Sequence, residues 1–573
     1  MVLAAIAVLV GILGAGIAYA LVRLIGLFTN AFYYQRISFA FVSPAATPLG
    51  PFAIAVPVLG GLIIGFMARY GSERIRGHGI PEALEAILIG GSRMAPRVAV
   101  LKPISSAIAI GSGGPFGAEG PIIMTGGALG SIVGQGLRLS ASERKTLLVA
   151  GAAAGMSATF ATPFAAVLLA VELLLFELRP RSLVPVALAS VTAALTRPYL
   201  LGNGPLFPTL PHGLLRPSAY FFSLFVGVAA GILSALLTVG VYAAEDGFKR
   251  LPIHWMWWPA LGGLVIGVGG LFEPRALGVG YDVIGDLLAG HYVASALLGL
   301  MVVKALIWAL SLGSGSSGGV LAPLLLMGGA LGALASAWSP DGDKALWPLV
   351  SMAAILGGTM RSPLTAVAFA LELTHDFNVL PVLLLAAVAA DAFTVLVLKR
   401  SILTEKVARR GYHLSREYSV DPLEMLTVGD VMSKDPACVP GSMTVRELLE
   451  SGHFGEGSHQ GFPVLGPDGA LLGVITRSNL LRRPAESSPE TPLLVSDLID
   501  RPPIVVYPWE SCRSAAERMA REGVGRLAVV SPENPSNVVG IVTRSDLLKP
   551  RARHVMEEIG RERFLGRRSR RGS

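Results

Sequence analysis

The sequence has almost no cysteine and, over most of its length, very little charge. Its two cysteines, Cys438 and Cys512, both lie in the C-terminal part. Two thiols cannot build a disulfide framework, and a reducing, cytosolic setting is the simpler reading for that part. None of the nine histidines is followed by glutamate, and no cysteine precedes residue 438. The H-E-x-x-H zinc helix of an intramembrane metalloprotease is therefore absent. Residues 1–400 carry only 40 of the 86 Asp, Glu, Lys and Arg side chains, and residues 401–573 carry the other 46. With 52% hydrophobic residues and a mean hydropathy of +0.60, the chain departs from soluble composition. It reads as a membrane part followed by a soluble part, with the boundary near Leu403.

The uncharged runs Met1–Val22, Thr146–Val171, Ser218–Ala244 and Ala305–Pro340 each reach the roughly 20 residues that cross a bilayer. The first lacks a basic start and continues into further apolar segments, so it reads as a retained helix rather than a cleaved leader. The 68 glycines are well above the usual share of about 7%, which suits close helix packing and interrupted helices. Between Pro103 and Leu137 the one charge is Glu119, in GAEGP at 117–121. A carboxylate in a bilayer costs several kcal/mol and belongs to a water-filled path or a partner; the glycines and proline around it also fit a loop outside the membrane.

Internal repeats favour the path. Pro121 is followed by GGALG at 126–130, and Pro323 by GGALG at 328–332. TPFAAVLLAVEL at 162–173 matches SPLTAVAFALEL at 362–373, which aligns Glu172 with Glu372. Duplicated hydrophobic halves with matching Gly/Pro interruptions are the pattern of transporters whose site lies between repeats. Three Gly-rich helix starts can be named: GHGIPE at 77–82, GAEGP at 117–121 and GGVLAP at 318–323. Free N–H groups and the helix dipole at such starts bind anions. They would do so without a buried Lys or Arg, which would hold an ion too tightly to release it.

In this order the segments resemble the voltage-gated chloride channel (CLC) family, whose patterns are GSGIPE, GREGP and GxFxP followed by a tyrosine. The resemblance implies an α-helical polytopic membrane protein built from an inverted repeat of tilted, broken helices. It further implies a homodimer in the lipid of the cell (inner or plasma) membrane, each subunit with its own pore. Glu119 takes the place of the gating glutamate and proton acceptor. Anion-binding positions fall on His78, Gly79, Ile80, Val320, Leu321 and Leu403, with His78 replacing the family serine and Leu403 its tyrosine. Glu172 and Leu173 fall on the inner pathway, where Leu173 replaces the proton-carrying glutamate of some exchangers. Glu172, with its repeat partner Glu372, reads as a scaffold acceptor. Chloride or a similar small anion is the expected ligand, with no required cofactor, no catalytic residue and no metal. A channel or loosely proton-coupled exchanger is the leading mechanism, a strictly coupled chloride/proton antiporter the alternative. A regulated magnesium channel is the lesser alternative, since its pore would need several acidic oxygens.

The soluble part repeats with an offset of 67 residues: GVITRSNLL at 473–481 pairs with GIVTRSDLL at 540–548, and VGDVM at 428–432 with VSDLI at 495–499. TVRELLE and SAAERMA read as amphipathic helices, and VIT and IVT as buried strands leading into helix starts. The pattern resembles a pair of cystathionine-β-synthase (CBS) domains, α/β modules on the cytoplasmic side of transporters. The resemblance implies ATP, ADP or AMP as ligand, held by Thr476, Asn479, Thr543 and Asp546. Asn479 stands where an acid is expected, so one competent site fits better than two; a pair that only packs the dimer also remains open. The resulting map is a transport domain at 1–403, with repeats at about 60–180 and 255–400, and a linker at 404–427. CBS domains follow at 428–486 and 495–551, then a basic tail at 552–573. Residues 551–573 hold eight arginines against three glutamates, which beside membrane spans reads as a cytoplasmic tail and not a nucleic-acid arm.

Overall fold

The protein is described by a computed structural model covering residues 2–409, apart from 89, 176, 210, 214 and 340–342, together with 423, 426–451, 460–482, 492–534 and 536–549. The basic tail and most of the linker lie outside the described residues. The chain divides at 417/418 into two compact units, taken here one at a time.

In the first unit, eight helices among the described residues are long and apolar enough to cross a membrane. Val2–Tyr34 and Pro217–Lys249 run for 33 residues each. At about 1.5 Å per residue each exceeds a hydrocarbon core of about 30 Å, so both must tilt to keep their apolar length in lipid. The run Thr146–Val171 is not one span. It breaks between the helices Ala141–Phe160 and Pro163–Leu169, where Ala161 turns left-handed at φ +59°. The second half breaks identically, with Arg361 at φ +56° between Leu346–Met360 and Pro363–Thr374. Both interruptions have one cause: a proline without an N–H starts a helix readily but cannot continue the preceding one. The run Ala305–Pro340 is likewise split, by a break between Gly313 and Leu321.

The halves close on each other. PVLGGLIIG at 57–65 faces PALGGLVIG at 259–267, within the helices Ala55–Tyr70 and Trp258–Phe272. A Cβ on Gly61 would sit 2.2 Å from the Pro259 carbonyl oxygen, and one on Gly263 would sit 2.2 Å from that of Pro57. Only glycine permits this approach, and its reciprocity is the local signature of a two-fold relation between repeats. Helix Ile402–Arg409 runs across the boundary expected at 403/404, and Ile402, Leu403 and Val407 are buried in the core of the first unit.

Among the described residues the second unit has seven strands, β1 (Ser433–Lys434), β2 (Val439–Pro440), β3 (Gly461–Leu465), β4 (Leu471–Thr476), β5 (Val505–Val506), β6 (Arg526–Val530) and β7 (Val538–Thr543). They form two sheets, ordered β1-β7-β6-β5 and β2-β3-β4. The expected helices are present as Val445–Glu450 and Cys512–Glu522. The two sequence repeats are not two separate sheets. β1, from the first repeat, pairs antiparallel with β7 of the second, and Val428 packs in the core of the second beside Val506 and Val542. Val495 and Leu498 return the exchange by packing with Val439 and Ile475. Both cysteines are free, and burial together with nearby Asp430 pushes the Cys512 thiol up to about 11.

Candidate functional site

Three interrupted segments meet in the first unit. Gly117 and Gly319 bond each other in both directions, with Gly319 N–H donating to the Gly117 carbonyl at 2.8 Å and Gly117 N–H to that of Gly319 at 3.2 Å. Gly77 N–H donates to the Ser316 carbonyl at 3.2 Å. From this junction start the helices Ile80–Leu88, Glu119–Gly136 and Leu321–Ala335. The junction is backbone against backbone: a Cβ on Gly120 would fall 1.8 Å from the His78 carbonyl oxygen. Gly79, at φ +89°, supplies the left-handed turn into its helix.

Glu119 is fully buried at this junction. Its Oε1 accepts the N–H of Ala322 at 3.1 Å, at the start of the helix from the other repeat. Its Oε2 is buried without a partner. The side chain thus occupies a seat made by a helix N-terminus and fills only half of its own hydrogen-bonding capacity.

His78 is buried, its Nδ1 has no partner, and it lines a cavity of about 820 Å³ with Met124, Tyr242 and Lys406. Of the amides expected to face an anion, that of Gly79 is engaged: it donates to Glu82 Oε2 at 2.9 Å. Glu82, the last residue of GHGIPE, caps its own helix and takes this donor from the site. Glu82 Oε1 in turn accepts from Lys406 Nζ at 2.5 Å. For the amides of Ile80, Val320 and Leu321 no protein acceptor is found among the described residues.

Two lysines are fully buried against loops that lead into short helices. Lys102 is fully buried, and its Nζ donates to the carbonyls of Ile75 at 2.8 Å and Gly77 at 2.7 Å. Lys304 is fully buried and donates to those of Ala276 and Gly278, each at 2.8 Å. Each ammonium ties down the loop ahead of a short helix instead of facing an open path. The repeat carried the signal, since each lysine stands at the same distance before its proline, Pro121 or Pro323.

Leu403 is fully buried. A phenol from another helix reaches the adjacent backbone, where Tyr242 donates to the Ile402 carbonyl at 2.5 Å. Leu173 is buried in a π-helical turn, Ala170–Leu175. In that turn Glu172 accepts from the amide and hydroxyl of Thr365, and Glu372 accepts from the amides of Phe164 and Ala165.

In the second unit Thr543 and Asp546 form a capping pair after β7. The Thr543 amide and hydroxyl donate to Asp546 Oδ2 at 3.0 and 2.7 Å, and Lys549 donates to Oδ1 at 3.0 Å. Thr476 makes the matching bonds to Asn479, from its amide at 3.1 Å and from its hydroxyl. The two sites therefore share geometry and differ by one charge.

A membrane-embedded repeat whose broken helices meet around a buried carboxylate defines an anion-transport fold, and a paired α/β unit follows it in the chain. The chain belongs to the voltage gated chloride channel family, whose sequence profile matches residues 60–395. The CBS domain profile matches residues 428–486 and 495–552. The voltage-gated ClC-type chloride channel ClcB of Citrobacter koseri is 31% identical over 378 residues, 64% of this chain and 88% of that one. ClcB of Escherichia coli is 30% identical over 421 residues, 71% of this chain and 99% of that one. Among solved structures, a slow cyanobacterial Cl−/H+ antiporter superposes with a TM-score of 0.62 at 21% identity, over 71% of this chain and 96% of that one. A eukaryotic CLC transporter superposes with a TM-score of 0.59 at 19% identity, over 95% and 97%. Those two likenesses speak for the fold alone.

Proposed function

We propose that the protein moves chloride or a similar small anion across the cell membrane through a pore in each subunit of a homodimer, with Glu119 as the gate. The observation that carries this is the bond from Ala322 N–H to Glu119 Oε1 at 3.1 Å. A carboxylate on a helix N-terminus is a resident anion, and it competes with a mobile one for the same donor. Protonation removes its charge, weakens its hold on the amide and frees the seat. Glu119 is thereby also the group that accepts a proton. The anion passes His78 and uses the amides of Ile80, Val320 and Leu321, with Gly79 withdrawn by Glu82. Leu173 offers no carboxylate for proton entry on the inner pathway, which favours channel-like or loosely proton-coupled transport. The CBS pair lies on the cytoplasmic side and takes an adenine nucleotide at Thr543 and Asp546, where the acid can accept from ribose hydroxyls.

Reconstituted liposome flux with simultaneous pH recording tests the proposal. Glu119→Gln is expected to give anion flux that no longer varies with pH. Wild-type pH dependence in that variant would refute the gate. Fixed proton movement with each anion in the wild type would favour the strictly coupled antiporter.

A further inference from the structure

The repeat supplies the junction with a second glycine loop that no anion-binding motif marks. Gly77-His78-Gly79-Ile80 corresponds to Gly278-Val279-Gly280-Tyr281, and both glycines of each loop take positive φ, +86° and +89° in the first and +65° and +82° in the second. Lys102 ties the first loop and Lys304 the second. The helix after the second loop, Tyr281–Leu288, therefore begins with a phenol where its counterpart begins with Ile80.

The ring of Tyr281 is held by Phe41, Phe207 and Phe160, at centroid distances of 5.9, 6.0 and 6.5 Å. It lines a cavity of about 370 Å³, distinct from the one lined by His78. Its hydroxyl is buried and has no partner, and Glu119 Oε2 is buried in the same state. Buried hydroxyls and carboxylate oxygens are almost always paired, so two orphans at one junction call for an account. The Tyr281 loop meets the approach to Glu119 through backbone, since Gly278 N–H donates to the Gly113 carbonyl at 3.0 Å.

Resting on the gate reading of Glu119, we infer that Tyr281 is a positioning residue for the gate. When the Glu119 side chain leaves the Ala322 amide, the Tyr281 hydroxyl donates to its carboxylate and holds the displaced, charged form. Both orphans are then satisfied, and the seat at Ala322 is free without protonation. Other charges on the surrounding elements are already engaged. Lys304 holds its two carbonyls, Arg36 donates to Asn30 at 2.6 Å, Arg197 donates to the Gly202 carbonyl at 2.5 Å, and Glu372 accepts from Phe164 and Ala165. Asp282 is exposed and lies within the electrostatic reach of Lys304.

The test is the pH profile of anion flux for Tyr281→Phe, which keeps the ring and removes only the hydroxyl. In alkaline solution, where the gate is charged, the displaced state loses its donor and flux falls. In acid solution the gate is neutral, so the ratio of acid to alkaline flux is expected to rise by roughly threefold or more. In the Glu119→Gln background the same substitution is expected to leave that ratio unchanged. A profile that superimposes on wild type, or one lowered equally at every pH, overturns the inference while a flat Glu119→Gln profile keeps the gate. Wild-type pH dependence in Glu119→Gln would remove the gate reading and this inference together. Size-exclusion elution and the unfolding midpoint of Tyr281→Phe show that any change is not loss of fold.

Discussion

Glu172 accepts two hydrogen bonds from Thr365, one from its amide at 2.9 Å and one from its hydroxyl at 2.5 Å. Glu372 serves the equivalent helix start in the other half, accepting from Phe164 at 2.9 Å and Ala165 at 2.7 Å. Each half thus caps a helix of the other, just after the proline that begins it. Glu172→Gln and Glu372→Gln are each expected to destabilise the protein by about 1–3 kcal/mol, the cost of weakening a charged cap at a partly buried site. Thermal unfolding in detergent measures this, and flux per folded protein is expected to keep its wild-type pH profile. A Glu172→Gln protein of full stability with altered proton movement would instead place that residue on a proton route.

The Lys406–Glu82 pair stands in the cavity wall beside His78. Glu82→Gln retains an acceptor for the Gly79 amide and leaves the ammonium of Lys406 without its counter-charge. A bare cation beside an anion path deepens the binding well, and conduction requires that ions also leave. The expected result is tighter chloride binding by calorimetry with slower flux, each by roughly threefold to tenfold for about 1 kcal/mol of added attraction. Weaker binding would place Lys406 away from the path.

Selectivity is expected to follow His78. Its imidazole is larger than the family hydroxyl and can donate from one ring nitrogen when neutral and from two when charged. His78→Ser should therefore change the relative flux of chloride, bromide, nitrate and fluoride in liposomes. The same order and ratios in both proteins would leave selectivity to the backbone amides alone.

In the C-terminal unit, burial works against the charge of Asp546, yet the bonds from Thr543 and Lys549 outweigh it and hold the carboxyl below its ordinary range. A depressed carboxyl contributes stability above its unfolded value, near pH 3.9, and loses it as pH falls through the folded value. Asp546→Asn is expected to destabilise the unit by about 1 kcal/mol at neutral pH, the usual worth of such a cap, with the difference vanishing in acid. Hydrogen exchange of the full chain reads this out. Calorimetry with ATP, ADP and AMP on the same pair of proteins tests the nucleotide site, where no heat at millimolar wild-type titration would remove it.

Much of the junction could be read in advance because glycine and proline do local work there. The helix starts at Ile80, Glu119 and Leu321 follow from their Gly-rich approaches, and the repeat located them twice. What escaped was whatever depended on distant partners. Glu82 looks like one more charge in a motif until its carboxylate is seen on Gly79. Lys102 and Lys304 mark the edges of apolar runs in the sequence, whereas in the fold each is fully buried within a helix and ties a loop of another segment. The exchange between the CBS repeats was hidden for a different reason. β1 is two residues long, too short for any periodicity, and its partner Ile541 lies more than 100 positions away.

The contact of Gly61 with Pro259 and of Gly263 with Pro57 bears on how the protein is made. A newly inserted first half presents a bare groove at Gly61 and an uncapped helix at Pro163, and both are completed only by residues still to be synthesised. At about 5–20 residues per second, the interval before Glu372 emerges is on the order of 10–40 s. During that time the first half must sit in lipid with polar backbone groups unpaired. Biogenesis, more than the finished fold, is where the cost of building two interlocked halves from one chain falls.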